Sequence, residues 1–256
     1  MEGLYFTLAG ALVGFIVGIT GIGGGSLMTP ALLMMGIPAA TAVGTDLMYA
    51  AITKGSGAYA HALKKNVNWR VALLLGSGSL PATLLTVIYI KTRYVSGDEY
   101  EYLLKSSLGI MLIMTALVIL LRKTLLARLG QRSALTPRQL DSATVVLGFF
   151  LGIFVTLTSV GAGAVCAAVL MLLYPSMKAR EIVGTDIAHA VPLTLIAGIG
   201  HALLDNINWM LLLYLVAGSV PAIHLGTHVS THLPEKVMKM TLALLLLAIG
   251  TRYAVF

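Results

Sequence analysis

The chain has 256 residues, 58% hydrophobic and only 11% charged, with a formal net charge of +7 and a mean hydropathy of +0.92. A soluble domain carries about 25% charged residues, so this chain cannot cover a water-facing surface, and a lipid bilayer must be most of its solvent. Its basic residues lie in short loops between apolar segments, which points to membrane topology and not to nucleic acid. The lone Cys166 excludes an intrachain disulfide. Met1-Glu2-Gly3 lacks the basic start of a signal peptide, so the first apolar segment is expected to remain.

A helix needs about 20 apolar residues to cross the hydrocarbon core. The first apolar segment, Leu4–Met35, is too long for one span and is interrupted at Gly21–Gly25. Segments follow at 39–63, 69–90 and 103–121. The polar stretch 122–141, with Pro137 in it, joins two halves. The fifth segment, 142–174, is again too long and breaks near Gly161–Gly163. Three more run over 182–204, 209–229 and 237–255. Ala and Leu dominate, and no segment alternates as a barrel strand would. The fold expected is an all-α polytopic membrane protein.

The halves repeat. Gly21–Asp46 slides onto Gly161–Asp186 without a gap, and both stretches close on Gly-Thr-Asp. The same register sets His61 on His201, Asn68-Trp69 on Asn208-Trp209, and Gly78-Ser79-x-Pro81 on Gly218-Ser219-x-Pro221. Such periodicity sets the architecture. The organisation expected is repeat 1 over 1–121, a cytoplasmic linker over 122–141 and repeat 2 over 142–256. Each repeat has a glycine-broken first segment and three spanning helices.

Lys and Arg decide the orientation. If every segment crosses once, they divide evenly between the two faces, against the positive-inside rule. If the two broken segments enter and leave on one face, only Lys91, Arg93, Lys105 and Arg252 stay outside, a bias of three to one. Loop 64–70 is then cytoplasmic, loop 204–209 is external, both termini lie outside, and the repeats are inverted copies.

Inverted repeats with interrupted helices are the common plan of secondary transporters. A helix starting at a break points unpaired N–H groups and partial positive charge into the membrane, where they favour anions. Gly23, Gly24, Gly25 and Ser26, with Gly161 and Gly163, are therefore candidate substrate-binding elements. Thr45 and Thr185 join them, on the expectation that a helix begins near Thr45-Asp46. Gly14, Gly18, Gly148 and Gly152 read as packing glycines. Lys54, in mid-segment, is a candidate counter-charge; otherwise it is a structural partner of Asp46 or Asp186. Those two aspartates are candidate proton-coupling groups or helix caps. His189, one turn beyond Asp186, can share its proton. His224, His228 and His232 have metal-ligand spacing, but no carboxylate or cysteine completes a set, so no metal or cofactor is expected. Trp69 and Trp209 read as interface anchors.

The glycine break Gly21–Pro30, the run Ala42–Arg70 and its echo Ile182–Trp209 resemble the TauE/SafE family of sulfite exporters, and the resemblance covers essentially the whole chain. It implies export of a small sulfur-containing anion, such as sulfite or sulfoacetate, across the bacterial inner membrane. Many members carry Thr-Ser where this chain has Thr45-Asp46 and Thr185-Asp186. Three readings follow: an ion-coupled anion exporter; a cation or metal carrier using Asp46 and Asp186; and an intramembrane aspartyl enzyme. The partners implied are a small anionic substrate and the bilayer. Oligomeric state is not legible.

Overall fold

A computed structural model describes residues 2–20, 25–93, 97–129, 136–230 and 235–255. Among these the chain is all-helical: α1 Glu2–Thr20, α2 Gly25–Met34, α3 Ala39–Leu63, α4 Trp69–Arg93, α5 Asp98–Leu129, α6 Pro137–Thr158, α7 Ala164–Leu173, α8 Ala179–Ala202, α9 Trp209–Ser230 and α10 Glu235–Val255. Five of the described helices are long and apolar enough to cross a membrane: α4, most of α5, α6, α8 and most of α9. Leu73, Leu85, Ile88, Ile110, Phe150 and Leu213 are exposed along them, as expected of side chains that face lipid.

The second overlong apolar segment divides where glycines were expected to break it, into α6 and the ten-residue α7. The first expected break, at Gly21–Gly25, falls at residues 21–24, outside the described residues, between α1 and the ten-residue α2. At the second break Ser159, Gly161 and Gly163 all have positive φ, at 58°, 117° and 144°. This is backbone that glycine adopts freely and serine rarely does. The linker differs from its expected extent. α5 continues to Leu129, and α6 starts at Pro137 behind a capping box. Thr136 Oγ1 accepts the Gln139 amide at 3.4 Å, and Gln139 Oε1 accepts the Thr136 amide at 3.0 Å. Thr-Pro-x-Gln is a legible start signal. Another correction concerns Thr45-Asp46: no helix begins there, because both residues lie inside α3.

The main pairings cross the chain: α1 on α9, α4 on α6, α3 on α8 and α5 on α10. Glycines set the close approaches. Gly14 rests on Ser219, Gly152 on Ser79, Gly18 against Gly226, and Gly148 against the Leu75 backbone. The packing role expected for these four holds. A Cβ at Gly78 would meet the Val145 carbonyl, and one at Gly218 the Thr7 carbonyl. Backbone cannot yield as a flexible side chain can, and overpacking costs about 1–3 kcal/mol. Gly78→Ala and Gly218→Ala should each lower the yield of monodisperse protein in detergent and its melting temperature, whereas Gly55→Ala, where a Cβ would meet nothing, should change neither.

Helices α3 and α8 run antiparallel through the centre. Met48 packs on Gly198, and Gly57 faces Ile187, so numbers rise on one helix as they fall on the other. In this register Asp46 lies level with Gly200 and Asp186 with Ala58. At 1.5 Å per residue the two aspartates are about 18 Å apart along α3, with Lys54 between their levels.

Candidate functional site

The centre of the α3–α8 pair is where charge is buried. Asp46, Lys54, Asp186 and His189 are 0%, 8%, 4% and 1% exposed. Each should be costly in an apolar bundle without a partner. Lys54 forms no ion pair with a carboxylate among the described residues. Its Nζ donates to the Ala162 carbonyl at 2.9 Å, and that carbonyl is free to accept because it belongs to the broken backbone between α6 and α7. The ammonium lies within electrostatic reach of Asp46, Asp186 and Cys166. One cation is thus held over a helix break, between two carboxylates that are far from each other.

The two aspartates have different surroundings. Asp46 Oδ2 accepts from Thr29 twice, from the amide at 3.1 Å and from Oγ1 at 2.6 Å. It therefore ties α3 to the short helix α2. Asp46 Oδ1 is buried with no hydrogen-bond partner, although Ser159 lies beside the carboxylate. Asp186 sits with Cys166 and His189, their ligating atoms within 4.8 Å of one another. Its Oδ1 and the His189 Nδ1 lack partners. His189 Nε2 is paired with Ser79 Oγ of α4 at 2.8 Å, which fixes the ring. At the equivalent place in the first half Tyr49 faces Ser219.

The remaining predicted residues fall in three groups. Gly161 and Gly163 form the break that presents Ala162 to Lys54. Gly25 opens α2, and the Ser26 side chain, Gly23 and Gly24 lie outside the described residues, as does His232. Thr45 and Thr185 are fully buried and their hydroxyls are occupied. Thr45 Oγ1 accepts the Asn208 amide at 3.2 Å, and Thr185 Oγ1 accepts the Asn68 amide at 2.9 Å while donating to the Glu181 carbonyl at 2.6 Å. They stitch the loops before α4 and α9 to the helices opposite. Thr29, Ser79 and Cys166 were missed as site residues. Ser79 had a signal, in the repeated Gly-Ser-x-Pro. Cys166 had one too, as the repeat match of the candidate Ser26 in the stretch that follows the second glycine break. Thr29 had none, because its match in the other half, Val169, is apolar.

Apolar helices that cover a buried charged cluster at a backbone break define a class: a multi-pass membrane transporter. The comparisons with known proteins give the family. The family model described as "Sulfite exporter TauE/SafE" matches residues 6–253, and the chain belongs to that family. It is 36% identical to the "Probable membrane transporter protein YjnA" of Bacillus subtilis over 96% of this chain and 97% of that one. It is 27% identical to YdhB of the same organism, over 91% and 92%. To the probable membrane transporter MJ0441 of Methanocaldococcus jannaschii it is 30% identical, over 93% and 92%. No solved structure matches significantly.

Proposed function

We propose that the chain is a secondary transporter that exports a small sulfur-containing anion, such as sulfite or a sulfonate, across the bacterial inner membrane, coupled to a proton. The observation that carries this reading is the buried ammonium of Lys54, held on the Ala162 carbonyl and not neutralised by direct contact with a carboxylate among the described residues. A cation placed at a helix break, at a level between two buried carboxylates and nearer that of Asp186, is a place for an anion to dwell. Charge counting supports the coupling. With both aspartates ionised the set carries one net negative charge, and a monovalent anion would make it two. A second like charge about 8 Å away costs about 2 kcal/mol at an effective dielectric of about 20. A proton taken up with the anion offsets this.

The antiparallel course of α3 and α8, which share Val-Gly-Thr-Asp, supports two inverted repeats over 1–121 and 142–256. In that arrangement residues 64–70 are cytoplasmic and both termini are external. Cysteines placed at Lys65 and Asp205 in a Cys166→Ser chain should react with an impermeant maleimide from opposite faces of the membrane. Equal access of both from outside intact cells would sink the inverted arrangement.

A cation carrier is favoured by one observation, the cluster of Cys166, Asp186 and His189. The nearby ammonium opposes it. An aspartyl enzyme needs two carboxylates sharing a proton, and the α3–α8 register holds these two apart. The test is flux in proteoliposomes: sulfite and sulfoacetate, then divalent cations, each with and without a pH gradient. Accumulation of an anion responsive to the gradient supports the proposal. Flux of cations alone would overturn it.

A further inference from the structure

Thr45 and Thr185 directly precede the buried aspartates, yet their hydroxyls hold loops. The two Asn-x-Asn-Trp turns are docked in the same way. Lys65 and Asp205 turn the chain in left-handed conformations, φ 55° and 57°. Asn66 and Asn206 return their amides to His61 and His201. Asn68 and Asn208 cap α4 and α9 through Oδ1, at 3.2 and 3.0 Å. The Asn66 carbonyl rests on Gly184 and the Asn206 carbonyl on Gly44, where a side chain would collide. Because α3 and α8 are antiparallel, the two turns close opposite ends of the helix pair that carries Asp46, Lys54 and Asp186.

The fastenings are unequal. On the 203–208 side Asn206 Nδ2 donates to the Tyr100 hydroxyl at 3.0 Å and lies 3.4 Å from His201 Nδ1, while His201 Nε2 contacts the Thr156 carbonyl at 2.9 Å. That turn is bound to α5 and, through His201, to α6. On the 64–68 side the Asn66 side chain makes no hydrogen bond among the described residues, and His61 Nδ1 is buried without a partner. The Arg70–Asp141 pair nearby is solvent-exposed, with Arg70 at 68%, and such pairs hold weakly.

Resting on the transport reading above, we propose that the two turns are the gates of the pathway, latched by Thr185 and Thr45, and that the less fastened 64–68 gate opens first. If that face is cytoplasmic, the resting protein loads from inside, which suits an exporter.

Cys166 is the only cysteine, fully buried beside Asp186, and so reports opening. Its alkylation by an impermeant maleimide is followed in membrane vesicles of each orientation. Wild-type protein should react slowly, and faster from the 64–68 face. Thr185→Val should raise that rate about fivefold, the shift expected for one lost hydrogen bond, and Thr185→Ser should restore it. Gly184→Ala, which lifts the Asn66 carbonyl off its seat, opens the same gate independently if the valine variant does not fold. Thr45→Val should change the rate from the opposite face less, and Thr45→Val with Asn206→Ala should raise it clearly. Three outcomes would overturn the proposal: no reaction in any variant, unchanged rates in folded Thr185→Val and Gly184→Ala, or equal opening by Thr45→Val and Thr185→Val alone. The face of residue 65, read separately, decides export direction: an external 64–68 loop would defeat the export reading and leave the order of the gates intact.

Discussion

Replacing Lys54 with alanine should remove anion binding to purified protein altogether, and this is the largest single effect expected. The ammonium is 8% exposed and held on a backbone carbonyl at 2.9 Å. Among the described residues it is also the only cation within reach of Asp46 and Asp186. Deleting one member of a buried charge set costs about 3–5 kcal/mol because the charges left behind lose their compensation. Here the loss falls on the bound anion as well, so affinity should drop by at least about a hundredfold. Lys54→Arg keeps the charge but not the point-like geometry, and should retain part of the binding. If Lys54 serves only to hold the bundle together, the outcome reverses: Lys54→Ala lowers folded yield, and the protein that survives binds normally. Isothermal titration on monodisperse protein distinguishes the two.

Asp186→Asn should abolish the pH-dependence of flux while leaving anion exchange at zero gradient partly intact. The asymmetry between the aspartates motivates the choice. Asp46 has Oδ2 engaged twice by Thr29, so it behaves as a tie between α3 and α2. Each aspartate has one buried oxygen without a partner, but only Asp186 has beside it a histidine, His189 one turn away, with an unpartnered ring nitrogen. The sign follows from charge. The anion binds better when the cluster has gained a proton, so wild-type uptake into the site should rise as pH falls on the loading face. Export from a negative interior already gains about 2.3 kcal/mol per charge per 100 mV; the proton adds to that or sets the stoichiometry. Asp46→Asn should instead reduce stability and keep the pH response. Wild-type pH-dependence in both variants, measured as flux across a series of imposed gradients, would remove the coupling from the proposed function.

Much of the architecture was legible in the residues. Apolar length set the helices. Clustered glycines marked the break between α6 and α7, and the repeated Gly-Thr-Asp located the paired aspartates. Periodicity and composition act locally, so they survive in a linear reading. Helix ends were less legible where two signals competed: polar residues after Leu121 suggested a linker, yet they continue α5, and Thr136-Pro137 starts α6 earlier than hydropathy does. The roles within Val-Gly-Thr-Asp were decided only in three dimensions. The glycine seats a loop carbonyl, the threonine takes a loop amide, and only the aspartate faces the buried charge. Partners more than a hundred residues away, Asn208 for Thr45 and Ala162 for Lys54, make those assignments. A hydrogen bond between distant segments leaves no periodic trace in sequence, so the difference between the two aspartates, and between the two turns, came from the packing of α3 against α8 and the helices around them.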